Sequence, residues 1–195
     1  MPARLGKLIK FVAINQISFN MENKFFNSRM IFAISAILFA VVMRLVPHWP
    51  NFTPVAAIAI FGGAYINRKA LAFILPIIAM LISDLIIGFH TTMIAVYVGM
   101  IAAVGIGMLL RNRVKAGNVV VASVASSVVF FLITNFAAWY TGLMPYSRDF
   151  SGILQSYIAG LPFFSTSLLG DLFYSAVLFG SFFLVSRRIP SMVNG

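Results

Sequence analysis

Two aspartates, Asp84 and Asp171, stand alone in stretches of sequence that are otherwise apolar. The chain has 4 acidic residues against 14 Lys and Arg, and 61% of it is hydrophobic. An ionised Asp at the centre of a membrane-spanning helix costs about 2.5–3.5 kcal/mol on insertion scales. Acids kept at that cost pair with something or bind something, so the chemistry of the chain turns on what these two face. Ser167, Asp171, Tyr174 and Ser175 recur at helical spacing and make one polar stripe. Asp84 follows Ser83, and Arg44 is the one cation inside an apolar stretch. A single guanidinium cannot fully neutralise two separate carboxylates. The acid left over must be protonated, hydrogen-bonded by Tyr or Ser, or matched by a group from outside. The plainer reading of the same residues is an Arg44–Asp pair that only locks helices together.

Other chemistries are weaker. His48 and His90 could join Asp84 as a metal set, since imidazole and carboxylate suit several transition ions, but their spacing has no motif character. The chain has no cysteine, which removes disulfides, thiolate metal sites, Fe–S clusters and a Cys nucleophile. It contains no Gly-rich phosphate loop, Ser-His-Asp pattern or zinc-helix motif, so no enzyme activity and no cofactor are expected. Two intramembrane aspartates also resemble those of aspartyl intramembrane proteases, whose second acid sits in a Gly-x-Gly-Asp context. Here that stretch reads Leu168-Leu169-Gly170-Asp171 and lacks the first glycine.

Six apolar segments must position these residues, in an all-α integral membrane protein built as a six-helix bundle. They run over about 30–46, 54–66, 70–89, 93–110, 119–139 and 162–186. The second segment covers only about 20 Å of a ~30 Å hydrocarbon core. Residues 140–161 read as a long connection with a short helix near 153–159, and Pro162 as the start of the sixth span. Residues 1–29 form a polar to weakly amphipathic N-terminal extension, 30–188 the membrane domain, and 189–195 a tail. The extension has no cleavable signal pattern.

Orientation follows from the Lys and Arg. With the N-terminus inside, 12 of them fall on the cytoplasmic side and only Arg44 and Arg148 on the outer side. Both termini are then cytoplasmic, in a bacterial inner membrane, and the basic charge is a topology signal that implies no nucleic-acid partner. Asp84 and Asp171 fall in the outer half of the bilayer, where the unusual polar and aromatic residues also collect. The candidate solute site is therefore an outward pocket lined by Arg44, Asn51, Asp84, His90, Asn135, Trp139, Asp171 and Tyr174. Small residues at four-residue spacing, such as Ala36 with Ala40 and Gly99 with Ala103 and Gly107, permit close helix approach.

The run Arg44-Leu45-Val46-Pro47-His48, then Pro50-Asn51-Phe52-Thr53-Pro54 and Phe61-Gly62-Gly63-Ala64, resembles a family of bacterial membrane proteins described as transport proteins. So do Ser83-Asp84-Leu85, Gly88-Phe89-His90, Thr134-Asn135-Phe136, Leu161-Pro162-Phe163-Phe164 and Leu169-Gly170-Asp171-Leu172. The resemblance covers about residues 40–185. That family is similar to the S components of energy-coupling-factor vitamin transporters, six-helix proteins that capture a vitamin in a pocket open to the outside. The resemblance implies membrane transport, a small-molecule substrate of the vitamin or precursor class, and a partner coupling subunit with its ATPases. It also implies that Ala36 and Ala40 dock that subunit. A non-catalytic scaffold of the same architecture and an intramembrane aspartyl enzyme are the alternatives.

Overall fold

The structure is a computed structural model that describes residues 28–46 and 49–188. The described residues form six helices and no strand: α1 (Ser28–Leu45), α2 (Val55–Tyr65), α3 (Lys69–Ile87), α4 (Met93–Leu109), α5 (Ala116–Thr141) and α6 (Phe150–Arg188). Three of them, α3, α5 and α6, are long and apolar enough to cross a membrane, while α1, α2 and α4 carry shorter apolar runs. The expected N-terminal surface segment and the tail lie outside the described residues.

The short helix α2 is the centre of the fold. Its sequence is apolar on every side, and Val55 through Ala64 are all buried. A helix with no polar face must be covered all round, and α2 packs against each of the other five. Glycine sets its closest contact. A Cβ on Gly63 would collide with the Val104 carbonyl oxygen of α4, and one on Gly107 with the Ile60 carbonyl oxygen of α2. The small residues of α4 therefore serve internal packing: Gly107 meets α2, Ala103 is buried, and Gly99 lies under the Phe130 ring of α5. Around the rest of α2, Phe61 and Tyr65 stack with Phe179 and Phe182 of α6, and Phe32 of α1 joins them.

One expected boundary is overturned. The connection at 140–161, its short helix and a sixth span starting at Pro162 are replaced by one continuous helix of 39 residues with Pro162 inside it. A proline in a helix interior loses a hydrogen bond and disfavours the helix by about 3 kcal/mol. The turns on both sides of Pro162 are held to α5, which offsets that cost. Ser156 Oγ donates to the Asn135 carbonyl at 2.9 Å and Tyr157 Oη to the Leu132 carbonyl at 2.9 Å. Phe131 contacts the ring of Tyr157 before the proline at 5.7 Å and that of Phe164 after it at 4.9 Å. Pro162 itself is exposed, so the lost bond falls on the outer face of the helix. The helix starts at a side-chain cap: Asp149 Oδ1 accepts the Gly152 N–H at 2.9 Å and the Ser147 hydroxyl at 2.6 Å.

Candidate functional site

The two aspartates occupy different environments. Arg44 sits near the end of α1 and Asp84 near the end of α3. The intervening α2 reverses the chain, so α1 and α3 run in the same direction and these ends meet. Arg44 Nη1 lies 2.7 Å from Asp84 Oδ1, with the Asp84 side chain 1% exposed and the Arg44 side chain 14% exposed. The contact is one of charge rather than an aligned hydrogen bond, because Nη1 directs its hydrogen bond to Ser83 Oγ. Ser83 passes its own hydrogen to the Met80 carbonyl at 2.8 Å, and Tyr97 Oη of α4 donates to Asp84 Oδ2 at 2.9 Å. Asp84 is thus neutralised from α1 and hydrogen-bonded from α4. The cavity beside Arg44, walled by Val41, Ile58, Met80 and Met100, is about 10 Å³, room for at most a water molecule.

Asp171 has no such partner. It is 6% exposed in the middle of α6, and the Ser127 hydroxyl of α5 donates to its Oδ2 at 2.7 Å. Among the described residues no cation lies against it. Ser127 Oγ also lies 2.9 Å from the Ser123 carbonyl, a second acceptor within reach of its one hydrogen, and Ser123 Oγ donates to Ser175 Oγ at 2.9 Å. The polar stripe expected on α6 is therefore real at Asp171, Tyr174 and Ser175, all of them buried. It meets a serine stripe on α5 formed by Ser123, Ser126 and Ser127, all of them buried. Ser126 on that stripe is buried with its hydroxyl unpartnered among the described residues.

The segment before α2 lies across α6 at this level. Asn51 adopts a left-handed φ of 63°, a conformation Asn tolerates, and turns the chain so that Phe52 points inward. The Phe52 ring contacts Phe173 at 5.6 Å and Tyr174 at 5.5 Å. Gly170 makes room for the Phe52–Thr53 backbone, since its Cβ would come within 3.2 Å of Phe52 Cα and Thr53 N. Of the eight expected site residues, Arg44 and Asp84 thus form one centre. Tyr174 follows Asp171 by three residues on the buried side of α6, and Asn51 is exposed, shaping the turn that brings Phe52 to Tyr174.

The other three have their polar atoms engaged elsewhere. His90 is exposed, with Nδ1 3.2 Å from Thr92 Oγ1. Asn135 donates from Nδ2 to the Phe131 carbonyl at 2.9 Å, and its Oδ1 faces Gly160 where α5 and α6 touch. Trp139 donates from Nε1 to the Ser147 carbonyl at 2.8 Å and lies under the Arg148 guanidinium. His48 and the Ala40 side chain lie outside the described residues. Ala36 is 9% exposed and belongs to the core cluster. Among the described residues no group of three or more His, Cys, Asp or Glu could hold a metal.

Two arginines read from sequence only as topology charges have defined structural tasks. Arg111 closes the end of α2, donating from Nε to the Gly63 carbonyl at 2.9 Å and from Nη2 to the Ile66 carbonyl at 2.6 Å. Arg148 does the same for α5, donating from Nη1 to the Trp139 carbonyl at 3.0 Å and to the Tyr140 carbonyl at 2.5 Å. Each places positive charge on the negative end of a helix dipole. A readable signal was Gly142, the left-handed cap of α5, six residues ahead of Arg148. Beside Arg148, the Ser147 hydroxyl and the Gly152 N–H hold the exposed Asp149 carboxyl below its ordinary pKa.

A second cavity lies away from the expected set. About 510 Å³ opens between Tyr65 at the end of α2, the first turns of α5 and the second half of α6, with Ser123 and Ser175 in its wall. None of the eight expected residues lines it.

No curated protein and no solved structure matches the chain. Residues 24–192 match the family of unknown function DUF6580, a span that takes in all six helices up to Arg188. The chain belongs to that family.

Proposed function

We propose that this chain is a membrane transport component that holds a small polar solute against Asp171. It is a six-helix bundle in a bacterial inner membrane with both termini cytoplasmic, similar to the S components of vitamin transporters. The observation that carries the reading is the unequal treatment of the two acids. Arg44 neutralises Asp84, while Asp171 is buried with Ser127 as its hydrogen-bond partner and no cation beside it among the described residues. An intramembrane acid in that condition is by default a place where a solute or coupling ion binds. A solute that offers Asp171 a positive or hydrogen-donating group supplies the missing partner. Phe52 and Tyr174, whose rings meet at the same level of α6, supply an apolar wall for the rest of it. The sequence has no nucleotide-binding motif, so ATP-driven uptake requires a coupling subunit and its ATPases as partners.

Asp171→Asn keeps the shape and the Ser127 hydrogen bond while removing the charge. The test compares this variant with wild type for ligand-dependent thermal stabilisation in detergent, across a panel of vitamins and their precursors, and for uptake in cells. The expected result is normal expression with binding and uptake reduced at least tenfold. Wild-type binding and uptake of every stabilising ligand by Asp171→Asn would make the acid structural and leave the scaffold reading in its place.

A further inference from the structure

The 510 Å³ cavity has a character that the solute reading leaves unexplained. Its wall is apolar, built from side chains such as Val119, Val120, Leu172, Phe179 and Phe183. Of its wall hydroxyls, Ser123 and Ser175 hydrogen-bond to each other at 2.9 Å and are partnered within the wall itself. A wall of this mainly apolar make-up suits a hydrocarbon better than an occupant that depends on hydrogen bonds. The cavity is also open sideways. Val120 and Phe183 are 51% and 53% exposed, on two helices long and apolar enough to cross a membrane. What they face in a bilayer is lipid.

The mouth is different in kind. Lys115 lies in the wall, directly before α5, whose first turn has no side-chain cap. Arg187 of α6 holds its guanidinium 4.4 Å above the ring of Phe183, a wall residue of the cavity. Lys115 and Arg187 are both exposed at this end, and neither has an acidic partner among the described residues. An apolar slot between helices that ends in two cations and an uncapped helix N-terminus matches an amphiphile with an anionic head. Its volume lies within the ~300–1,000 Å³ of small-molecule sites.

We propose that this groove binds one anionic phospholipid of the surrounding membrane, with an acyl chain along Val120 and Phe179 and the phosphate on Lys115 and Arg187. The inference is independent of the solute reading, because it uses a different cavity and leaves Asp171 untouched. In the proposed orientation the headgroup lies on the cytoplasmic face, where the basic residues gather.

The test is native mass spectrometry of the full chain in detergent, supplied with equal amounts of phosphatidylglycerol and phosphatidylcholine. Wild type is expected to retain phosphatidylglycerol several-fold over phosphatidylcholine. The double variant Lys115→Gln/Arg187→Gln is expected to lose that preference, and Ala176→Phe, which fills the groove, to lose retention of both lipids. Both positions of the charge variant are exposed, so its thermal midpoint should match wild type and a folding defect is separable. Equal retention of the two lipids by wild type overturns the proposal. So does undiminished preference in the charge variant. Release of phosphatidylglycerol by millimolar inorganic phosphate, with the chain no longer held, would assign the cations to a free anion and also overturn it.

Discussion

Removing the Arg44 guanidinium while keeping its bulk isolates the energetics of the charged centre. In Arg44→Met, Asp84 stays 1% exposed and keeps the Tyr97 hydroxyl as a donor, but loses the charge 2.7 Å from Oδ1. Breaking a buried ion pair by deleting one member costs about 3–5 kcal/mol, because the other charge is left without compensation. For a chain of 150–250 residues each kcal/mol shifts the midpoint by ~2–4 °C, so a loss of about 6–20 °C is expected. Asp84→Asn should cost less. Arg44 is the more exposed partner at 14% and can turn its head toward water, while the amide still accepts from Tyr97. The double variant Arg44→Met/Asp84→Leu replaces the pair with apolar groups of similar size and should recover most of the loss of Arg44→Met. Thermal unfolding of the purified protein in detergent, followed by the fraction that remains monodisperse, measures all three. An Arg44→Met midpoint within 2 °C of wild type would refute the burial argument. A double variant no more stable than Arg44→Met would refute the pairing.

Two further outcomes rest on backbone geometry and on titration. Gly63→Ala and Gly107→Ala each drive a methyl into a carbonyl across the α2–α4 contact and should cost about 1–3 kcal/mol, read as a lower midpoint. Gly105→Ala on the same helix α4 meets open space and should be neutral or gain up to about 1 kcal/mol; an equal loss at all three positions would refute the close-approach argument. At the start of α6, the Asp149 carboxyl is held below its unfolded value, so its capping stabilises the helix above about pH 4 and is lost as pH falls through the lowered folded pKa. Hydrogen exchange over residues 150–156 should therefore accelerate relative to α5 only in acid. Asp149→Asn, which caps without titrating, should remove that pH dependence.

The helices were legible because their boundaries are chemical: proline, glycine and clustered Arg or Lys interrupt apolar runs at nearly every turn of the chain. The exception is instructive. Pro162 reads locally as a helix start, and only the tertiary grip of Phe131, Leu132 and Asn135 on both sides of it makes the helix continuous. Facing was not legible. Asn135, Trp139 and His90 sit at helix ends where a pocket was expected. Rotation about each helix axis decides what a side chain meets, and these meet Gly160, Ser147 and Thr92. The cavity between α5 and α6 could not be read at all, since a void is set by how two apolar surfaces fail to close.

The acids show where such reasoning gains and loses force. Charge balance alone required that one carboxylate in the apolar region go without Arg44, and that conclusion needed no coordinates. It could not say which one, because the expected topology puts both Asp84 and Asp171 in the same half of the bilayer as Arg44. The choice falls to chain reversal. Because α2 is short and buried, α1 and α3 lie side by side and parallel, and the ends that carry Arg44 and Asp84 coincide. Asp171 on α6 is then opposed by α5, whose facing residues are serines that can donate hydrogen bonds but not charge. Substituting any of those serines with Lys or Arg would neutralise Asp171 as Asp84 is neutralised. Instead Ser123, Ser126 and Ser127 are small, buried and uncharged, so the acid is held in place without being answered. A surface whose only purpose was to lock α5 to α6 would do better with apolar residues throughout. Among the described residues the carboxylate is matched by no cation, and the packing of these two helices preserves it in that state.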